Sequence, residues 1–561
     1  MPRTPRRTSP IPPGAAPEPR QQTVWARVQP WLWITLGGVA LRIVLWATLA
    51  GYLYPGDHDD FVRWGLQVVE RGLTTLYTEP PERRDMRGYH APSGLWGVTQ
   101  RQVDRVCNYP PLSTYLLAIS GFVYSASWSP LTAEDIDALG LTGRVGPEFG
   151  RRPIVNTPAS QVIFTFWSVL CDFLLAAGCA AIVWRFAPRV AALLVYAFML
   201  AAPPFWWDSI VWAQTDTIVL APGVWMVYHL LRGRYVVAGV LWGAALGLKT
   251  QGILYTPIWG FAFACQALRL WSEQRVAALR QPAFWKPVLG ALVAIGVLLV
   301  AALPFMLKSG LAWLERSYLE NLFETYTELT TLKAFNIWYL DLLISDNLDA
   351  RVQVLGLTKG TWGTLLLIAG LGLGFAWALW RWRERPTGLL LWTALAFVLI
   401  MMLPTKVHER YLILALPWLI IVGGLSWRPW PGLLLLLIVM MAQLSWPWWL
   451  ASGRGTWPGY EQQLIRDYHE GLAALPPERR RHVPPLEDVL AERREQYERM
   501  YSRTTPIEWT LTILALLGAA WCVGALLSLP ADAGVASRNL ARPPTKTTVT
   551  PRRGGGAAPA R

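Results

Sequence analysis

Apolar residues in this 561-residue chain fall into long runs separated by short charged breaks. Most runs are roughly 16–25 residues long, the length an α-helix needs to cross a hydrocarbon core of about 30 Å. We therefore predict an all-α polytopic membrane protein, a bundle of about 12 transmembrane helices. The predicted spans are 31–53, 160–184, 189–204, 209–231, 235–248, 251–267, 286–307, 361–380, 387–403, 411–425, 429–448 and 507–529.

Basic residues in the breaks predict the orientation, because Lys and Arg that flank a span are retained on the cytoplasmic side. When all basic breaks and both tails are placed inside, three long loops fall outside the membrane: 54–159, 308–360 and 449–506. The apolar stretch 110–128 would break this parity if it crossed the membrane. We therefore predict that it forms a juxtamembrane helix on the outer face.

The chain divides by composition into five predicted regions. Both ends are basic and rich in proline, a composition typical of disordered tails. The segment before the last span is rich in Arg and Glu at helical spacing. The regions are a disordered cytoplasmic tail 1–28, a transmembrane core 29–450, a charged helical outer loop 451–506, a last transmembrane helix 507–530 and a disordered cytoplasmic tail 531–561.

Composition agrees with a membrane protein and changes how the net charge is interpreted. The chain is 53% hydrophobic and only 16% charged, whereas soluble domains are about a quarter charged. Many of the 33 tryptophans lie at the ends of apolar runs, where indole meets the membrane surface. The formal charge of +14 comes mostly from the tails and breaks. It therefore indicates cytoplasmic anchoring, and we expect no nucleic-acid partner.

Six groups of polar residues share one predicted side of the membrane, the outer one. Taken alone, the acidic group 57–60 is explained as the solvated start of a loop. The charged group 406–410 is explained in the same way by side chains that snorkel to the membrane surface from a helix end. Asp172 lies inside a predicted span and is expected to pair with an arginine or a backbone donor. Six groups that converge on one face favour a functional cavity. The groups are 57–60, 108–111, 212–216, 249–251, 333–338 and 406–410.

A carboxylate that faces cations at a membrane surface suits transfer of a group away from a phosphate. The carboxylate takes a proton from an attacking hydroxyl, and Lys, His or Arg neutralises the departing phosphate. A transporter is the main rival, but its ionisable residues typically lie near mid-membrane on paired, broken helices. The sequence contains no phosphate-binding loop of the nucleotide-dependent enzymes.

The polar groups resemble motifs of the GT-C superfamily of polytopic glycosyltransferases. The nearest resemblance is to the dolichyl-phosphate-glucose-dependent glucosyltransferases of N-glycan precursor assembly and their prokaryotic relatives. It covers roughly residues 30–450, with the motifs in the family's order. The matching residues are Gly56-Asp57 with Phe61 and Trp64, Asn108-Tyr109-Pro110-Pro111-Leu112 with Tyr115, Trp212 with Gln214 and Asp216, Lys249 with Gln251, Ala334-Phe335-Asn336 with Trp338, and Val407-His408-Glu409-Arg410.

The resemblance implies an inverting transfer on the external face. Asp57 would be the general base, and His408, Arg410 and Lys249 would contact the donor phosphate. The Tyr-Pro-Pro helix would lie outside, in agreement with the parity argument. Substrate contacts are assigned to Asp59, Tyr109, Gln214, Asp216, Gln251, Asn336, Trp338 and Glu409.

This chain departs from the family pattern in two places. Thr250 stands where relatives often carry proline, and Asp59 and Asp60 add carboxylates beside Asp57. The base is therefore one of three candidates, of which Asp57 is preferred. Asp57-His58-Asp59 also mimics the two-carboxylate metal motif of soluble transferases. Because many members of the superfamily work without metal, we expect no obligatory metal or other cofactor, with a divalent cation as a possibility.

The predicted function is transfer of a hexose from a polyprenyl-phosphate-linked sugar to a hydroxyl of a glycan or lipid-linked acceptor. The expected location is a multi-pass position among membrane lipids, in the plasma membrane if the source is prokaryotic. Three alternatives remain. One is a flippase or transporter of lipid-linked sugars, and another is a glycan ligase or polymerase with a diphosphate-linked donor. The third is a purely structural membrane protein, which would have no evident use for the outward cluster of polar residues.

Overall fold

The computed structural model describes residues 24–49, 55–80, 106–127, 158–445 without 326 and 328, and 483–529, besides isolated residues between 465 and 472. The predicted disordered tail 531–561 lies outside the described residues, as do most of 1–28 and most of the outer loop before residue 483. The first helix begins at Val24, so residues 24–28 of the predicted tail are helical.

The described chain is predominantly helical. Its main helices, numbered in chain order, are α1 (Val24–Leu49), α2 (Pro55–Arg71), α3 (Pro111–Ser127), α4 (Pro158–Phe186), α5 (Arg189–Ala201), α6 (Asp216–Leu230), α7 (Tyr235–Leu248), α8 (Thr256–Gln274), α9 (Pro282–Ser309), α10 (Ile337–Ser345), α11 (Lys359–Trp382), α12 (Gly388–Met402), α13 (Leu416–Leu425), α14 (Trp430–Ser445) and α15 (Leu486–Ser528).

Shorter pieces connect these helices. The 3₁₀ turns are Leu73–Tyr77, Thr250–Tyr255, Arg275–Arg280 and Tyr411–Leu414. The short α-helical pieces are Pro203–Trp206 and Ala312–Leu314, and the π-helical turns are Trp207–Val211 and Glu315–Glu324. One small antiparallel hairpin joins β1 (Gln353–Val354) to β2 (Leu357–Thr358).

Helix length and apolar character identify a membrane-embedded, all-α protein. Among the described residues, five helices are long and apolar enough to cross a membrane, and a sixth candidate is the pair Arg189–Ala201 and Pro203–Val211, bent by 42°. Each of the twelve predicted spans overlaps a helix of the described chain, but the count of twelve crossings stays a prediction. The five long helices are Val28–Leu49, Ala159–Phe186, Pro282–Ser309, Lys359–Trp382 and Thr505–Ser528. The shorter apolar ones are Tyr235–Leu248, Gly388–Met402, Tyr411–Leu425 and Trp430–Leu444.

The outer face of α9 illustrates why these helices need lipid around them. Leu292, Val300 and Leu307 are between 60% and 80% exposed. A contiguous apolar face of this kind is costly in water, since each buried methylene is worth about 0.8 kcal/mol. In a bilayer the same face contacts hydrocarbon.

Small residues allow the helices to approach closely. Gly239, Gly243 and Gly247 repeat every four residues along α7 and therefore share one face. A Cβ added to Gly239 would lie 2.1 Å from the carbonyl oxygen of Gly290 in α9. Without a hydrophobic driving force between helices in lipid, such close packing is a main source of association.

The apolar stretch predicted as a juxtamembrane helix forms α3. It crosses α2 at two glycines, where a Cβ on Gly121 would lie 2.1 Å from the carbonyl oxygen of Gly65. Tyr115 donates to the carbonyl oxygen of Ala301 in α9 at 3.0 Å. The helix therefore packs against the bundle and holds α2, which carries Asp57, beside it.

Two features concern charged residues of the predicted spans. Asp172 of α4 pairs with Arg42 of α1 at 3.0 Å, with both side chains 1% exposed, as expected for a structural pair. The charged segment predicted as a separate outer region is continuous with the last predicted span, because α15 runs unbroken over 43 residues through Pro506. The predicted boundary at 506 therefore falls inside one helix.

Candidate active site

The junctions between helices meet at a cavity of about 650 Å³. Each of the six polar groups found in the sequence contributes at least one residue to its lining, although their elements are spread over some 350 positions of the chain. Seven of the predicted site residues line the cavity: Asp57, Tyr109, Lys249, Gln251, His408, Glu409 and Arg410.

The loop 404–410 carries three of these residues and is held by backbone hydrogen bonds. The amide of Leu332 donates to the carbonyl of Val407 at 2.9 Å, and the amide of Glu409 donates to the carbonyl of Leu332 at 2.8 Å. The amide of Lys406 donates to the carbonyl of Thr330 at 3.1 Å. The second predicted outer loop therefore fixes the position of this loop.

Asn336 and Trp338, which the sequence assigned to substrate, support that same loop and do not line the cavity. The Asn336 side chain accepts from the amides of Trp338 and Tyr339, which caps α10. Its amide nitrogen donates to Pro404 at 3.3 Å, and the Trp338 indole donates to Leu403 at 2.8 Å. Both residues therefore act on the site through the loop.

Arg410 lies between three carboxylates. Its guanidinium nitrogens are 3.7 Å from Asp57, 3.4 Å from Asp216 and 3.3 Å from Glu409. The planar guanidinium is suited to this arrangement, because its nitrogens point in different directions. The arginine therefore ties α2, α6 and its own loop together at the cavity.

Asp216 and Gln214 lie behind the cavity wall and set the positions of residues that line it. Asp216 begins α6, is fully buried and accepts from Lys249 at 2.6 Å. Gln214 is also fully buried and donates from its amide nitrogen to the carboxylate of Asp57. Ala213 has a positive φ of 51°, a strained conformation for a residue with a side chain.

Charge and burial change the pKa values of the loop residues. Burial alone would raise the pKa of Glu409, but His408, Arg410 and Lys333 lower it to about 2. Burial opposes the charge of Arg410, yet Asp57, Asp216 and Glu409 hold its pKa well above the usual value. Burial lowers the pKa of His408, so its imidazole is neutral near pH 7.

Two lysines that the sequence did not single out also line the cavity. Lys333 and Lys406 have positive φ values of 69° and 63°. Burial lowers the pKa of Lys333 to about 8, with Glu409 opposing the shift. Both lysines belong to polar groups visible in the sequence, but their left-handed backbone follows from the pairing of two distant loops and left no local signal.

Asn321 is a further lining residue that sequence reasoning missed. It lies in the π-helical turn Glu315–Glu324 and donates to the carbonyl of Asn108 at 2.9 Å. Its side-chain nitrogen also donates to the carbonyl of Ser317 at 3.0 Å. No motif surrounds it in the sequence, so only the folded chain shows that it reaches the cavity.

The acidic group after α1 is only partly described. Asp60 lines the cavity and lies 3.7 Å from Arg63. Asp59 belongs to α2, but its side chain lies outside the described residues. The carboxylate of Asp57 is about one-third exposed and faces the cavity beside Arg410. Among the described residues, no three His, Cys, Asp or Glu side chains are grouped closely enough to hold a metal ion.

One wall of the cavity is apolar. It is formed by residues of the turn before α8 and of α11 and α12. Flat aromatic side chains, Trp64 and Tyr109 among them, line another part. The cavity therefore combines charged, aromatic and aliphatic surfaces. The aliphatic residues of this wall are Ile253, Leu254, Leu367, Ile400 and Met401.

No protein-family model matches this chain, and no curated protein is significantly similar to it.

Proposed function

We propose that this chain is an inverting glycosyltransferase that moves a hexose from a polyprenyl-phosphate-linked sugar to an acceptor hydroxyl. The observation that carries the proposal is the composition of one cavity. A partly exposed carboxylate, Asp57, faces several cations, and an aliphatic wall adjoins them. This combination fits a donor whose sugar, phosphate and lipid tail need three different surfaces.

In the proposed reaction the oxygen of the acceptor hydroxyl attacks the anomeric carbon from the side opposite the phosphate. The proton of that hydroxyl passes to a carboxylate oxygen of Asp57. The bond between the anomeric carbon and the phosphate oxygen breaks, and the polyprenyl phosphate leaves with the electron pair. One displacement of this kind inverts the configuration at the anomeric carbon.

Two of the cations are paired with buried carboxylates. Lys249 is bonded to Asp216, and Arg410 is shared by three carboxylates. These two cations offset the buried carboxylates and keep Asp57 in place, while still presenting positive charge to the cavity. Lys333 and Lys406 add two further cations on the lining. We assign the departing phosphate to this combined set together with His408.

The membrane arrangement is part of the proposal. Twelve crossings with both termini in the cytoplasm would put the cavity on the external face, at the plasma membrane in a prokaryote. The overlap of each predicted span with a helix of the described chain supports this arrangement. So does the meeting of all six polar groups at one cavity, because groups on opposite sides of a bilayer could not share it.

Asp57→Asn tests the proposed reaction, with Asp59→Asn and Asp60→Asn as matched controls. Asparagine keeps an oxygen that can accept from Gln214 but cannot take the proton. We expect release of polyprenyl phosphate from synthetic polyprenyl-phosphate-glucose or -mannose to fall by about two to four orders of magnitude. The purified variant should still fold, because its side chain is the same size.

The controls decide which carboxylate is the base. If Asp60→Asn or Asp59→Asn abolished release while Asp57→Asn left it normal, the role of Asp57 would be wrong. If the wild type released no polyprenyl phosphate but moved labelled lipid across vesicle membranes, the chain would be a transporter. Release only from a diphosphate-linked donor would identify a ligase or polymerase.

A further inference from the structure

A second, smaller cavity adjoins the first. It measures about 290 Å³ and shares three lining residues with the larger cavity: Thr364, Thr405 and Lys406. The shared residues make the two cavities neighbours across one wall. The larger cavity carries the apolar wall, so the smaller one is the polar extension of the site.

The lining of the smaller cavity is unusually rich in hydroxyl groups. Thr405 is buried, whereas Thr361, Thr364 and Thr327 are exposed, so the cavity opens outward. The hydroxyls of Thr358 and Thr361 bond each other at 2.8 Å, and that of Thr364 donates to the carbonyl of Gly360 at 3.1 Å. Their remaining lone pairs accept hydrogen bonds, which suits the hydroxyl donors of a polyhydroxylated ligand. The five threonines that line it are Thr327, Thr358, Thr361, Thr364 and Thr405.

Both charged residues that line the smaller cavity are cations, Lys406 and Arg351. Asp349 binds Arg351 through two contacts of 2.9 Å, which fixes the guanidinium at the edge. The larger cavity, by contrast, has the acidic side chains of Asp57, Asp60 and Glu409 among its lining. Within the described part of the chain, no acidic side chain lines the smaller cavity.

The backbone around this cavity is already hydrogen-bonded, so recognition rests on side chains. At the start of α11, the amide of Gly360 donates to Ala350 at 2.9 Å. The amide of Thr361 donates to the hydroxyl of Thr358 at 3.1 Å. Leu365 and Ile368 follow on the same helix and are exposed and apolar. The polar cavity therefore borders a surface suited to lipid.

We propose that the smaller cavity is the acceptor subsite and that it binds a sugar carrying a negative charge. This inference rests on the proposed glycosyl transfer. Lys406 lines both cavities, so an acceptor held by the threonines and the two cations would extend a hydroxyl into the larger cavity toward Asp57. A carboxylate or a phosphate on the sugar would meet the same two cations.

The test measures binding without requiring turnover. Purified protein in phosphatidylcholine nanodiscs is mixed separately with glucuronate, glucose 6-phosphate or glucose, and saturation-transfer NMR reports each sugar's contact with the protein. We expect at least one anionic sugar to give a signal about threefold or more above that of glucose. The stronger of the two anionic sugars identifies the anion as carboxylate or phosphate.

Two variants locate the binding. Thr361→Phe fills the smaller cavity and Arg351→Gln removes one cation, and neither residue lines the larger cavity. Both should lower the anionic sugar's signal to that of glucose. Leu365→Phe places an aromatic ring one turn further along the same helix, at a residue that lines neither cavity, and should leave the signal intact.

Equal signals for charged and neutral sugars, or an undiminished signal in Thr361→Phe, would overturn the subsite. The failure of the proposed function gives a different result, because wild-type protein would then release no polyprenyl phosphate whatever the sugar binding shows.

Discussion

Two of the charge networks in the described part of the chain are built differently. In the first, one arginine of α1, Arg42, meets one carboxylate of α4, Asp172, which also accepts from Ser209 at 2.7 Å. In the second, Arg410 is shared by three carboxylates and adjoins a cavity of about 650 Å³. The first is closed to solvent, whereas the second faces a space large enough for a ligand.

The difference separates a structural role from a chemical one. The closed pair joins two helices and leaves no charge directed at a ligand. The open network pairs carboxylates with cations, and each of these charges would be costly to bury alone. One of its carboxylates, Asp57, remains about one-third exposed. A buried charge is therefore evidence of function here only when the network around it reaches a cavity.

The largest expected effect comes from breaking the closed pair. Arg42→Met leaves Asp172 as an uncompensated buried charge, so the free energy of unfolding should fall by about 3–5 kcal/mol. The double variant Arg42→Met/Asp172→Leu should recover most of this loss and keep its turnover, since both charges are gone. Thermal unfolding in detergent and release of polyprenyl phosphate measure the two properties.

The matched double variant in the open network is Lys249→Met/Asp216→Leu. Its stability should be close to that of the wild type, because both charges of the pair are gone. Its turnover should be lost, because Arg410 loses its contact with Asp216 and the departing phosphate loses Lys249. Normal turnover in this variant would mean that the two networks do not differ in role.

A smaller effect is expected from Arg410→Lys. An ammonium donates from one point and cannot reach three carboxylates in different directions. The loss of one charge-assisted contact, worth about 1.5–3 kcal/mol, should lower kcat/KM roughly tenfold to a hundredfold in steady-state assays. Arg428→Lys is the control, because Arg428 is exposed and bonded to the carbonyl of Ser528 at 2.8 Å. Its kcat/KM should stay unchanged, and an equal loss in both variants would contradict the assignment.

The smallest effect concerns pH. Lys333 has a pKa of about 8 because of burial, so its charge is present below pH 8 and is lost as the pH rises through that value. We expect the KM for the donor to rise by up to about tenfold between pH 7 and 9, the effect of losing one charge-assisted contact. Lys333→Arg should remove this rise in KM. A KM that does not change with pH in the wild type would exclude contact between Lys333 and the phosphate.

The sequence predicted the helical segments well because long apolar runs have few other structures available in a membrane. It also grouped the polar segments that meet at one cavity, since they all follow or precede apolar runs. It did not predict that Asn336 and Trp338 face the supporting loop, or that Asn321 reaches the cavity. Those positions depend on how distant loops pack, and no local pattern encodes that packing.

The loop that carries His408, Glu409 and Arg410 is anchored to residues 330–332 by main-chain hydrogen bonds. Anchoring of this kind does not depend on which side chains occupy the anchoring positions. Over evolutionary time, Leu332 could exchange with other residues while the loop stayed in place, with proline excepted because it lacks the amide hydrogen. Substitutions in residues 330–332 therefore leave the backbone position of the loop unchanged.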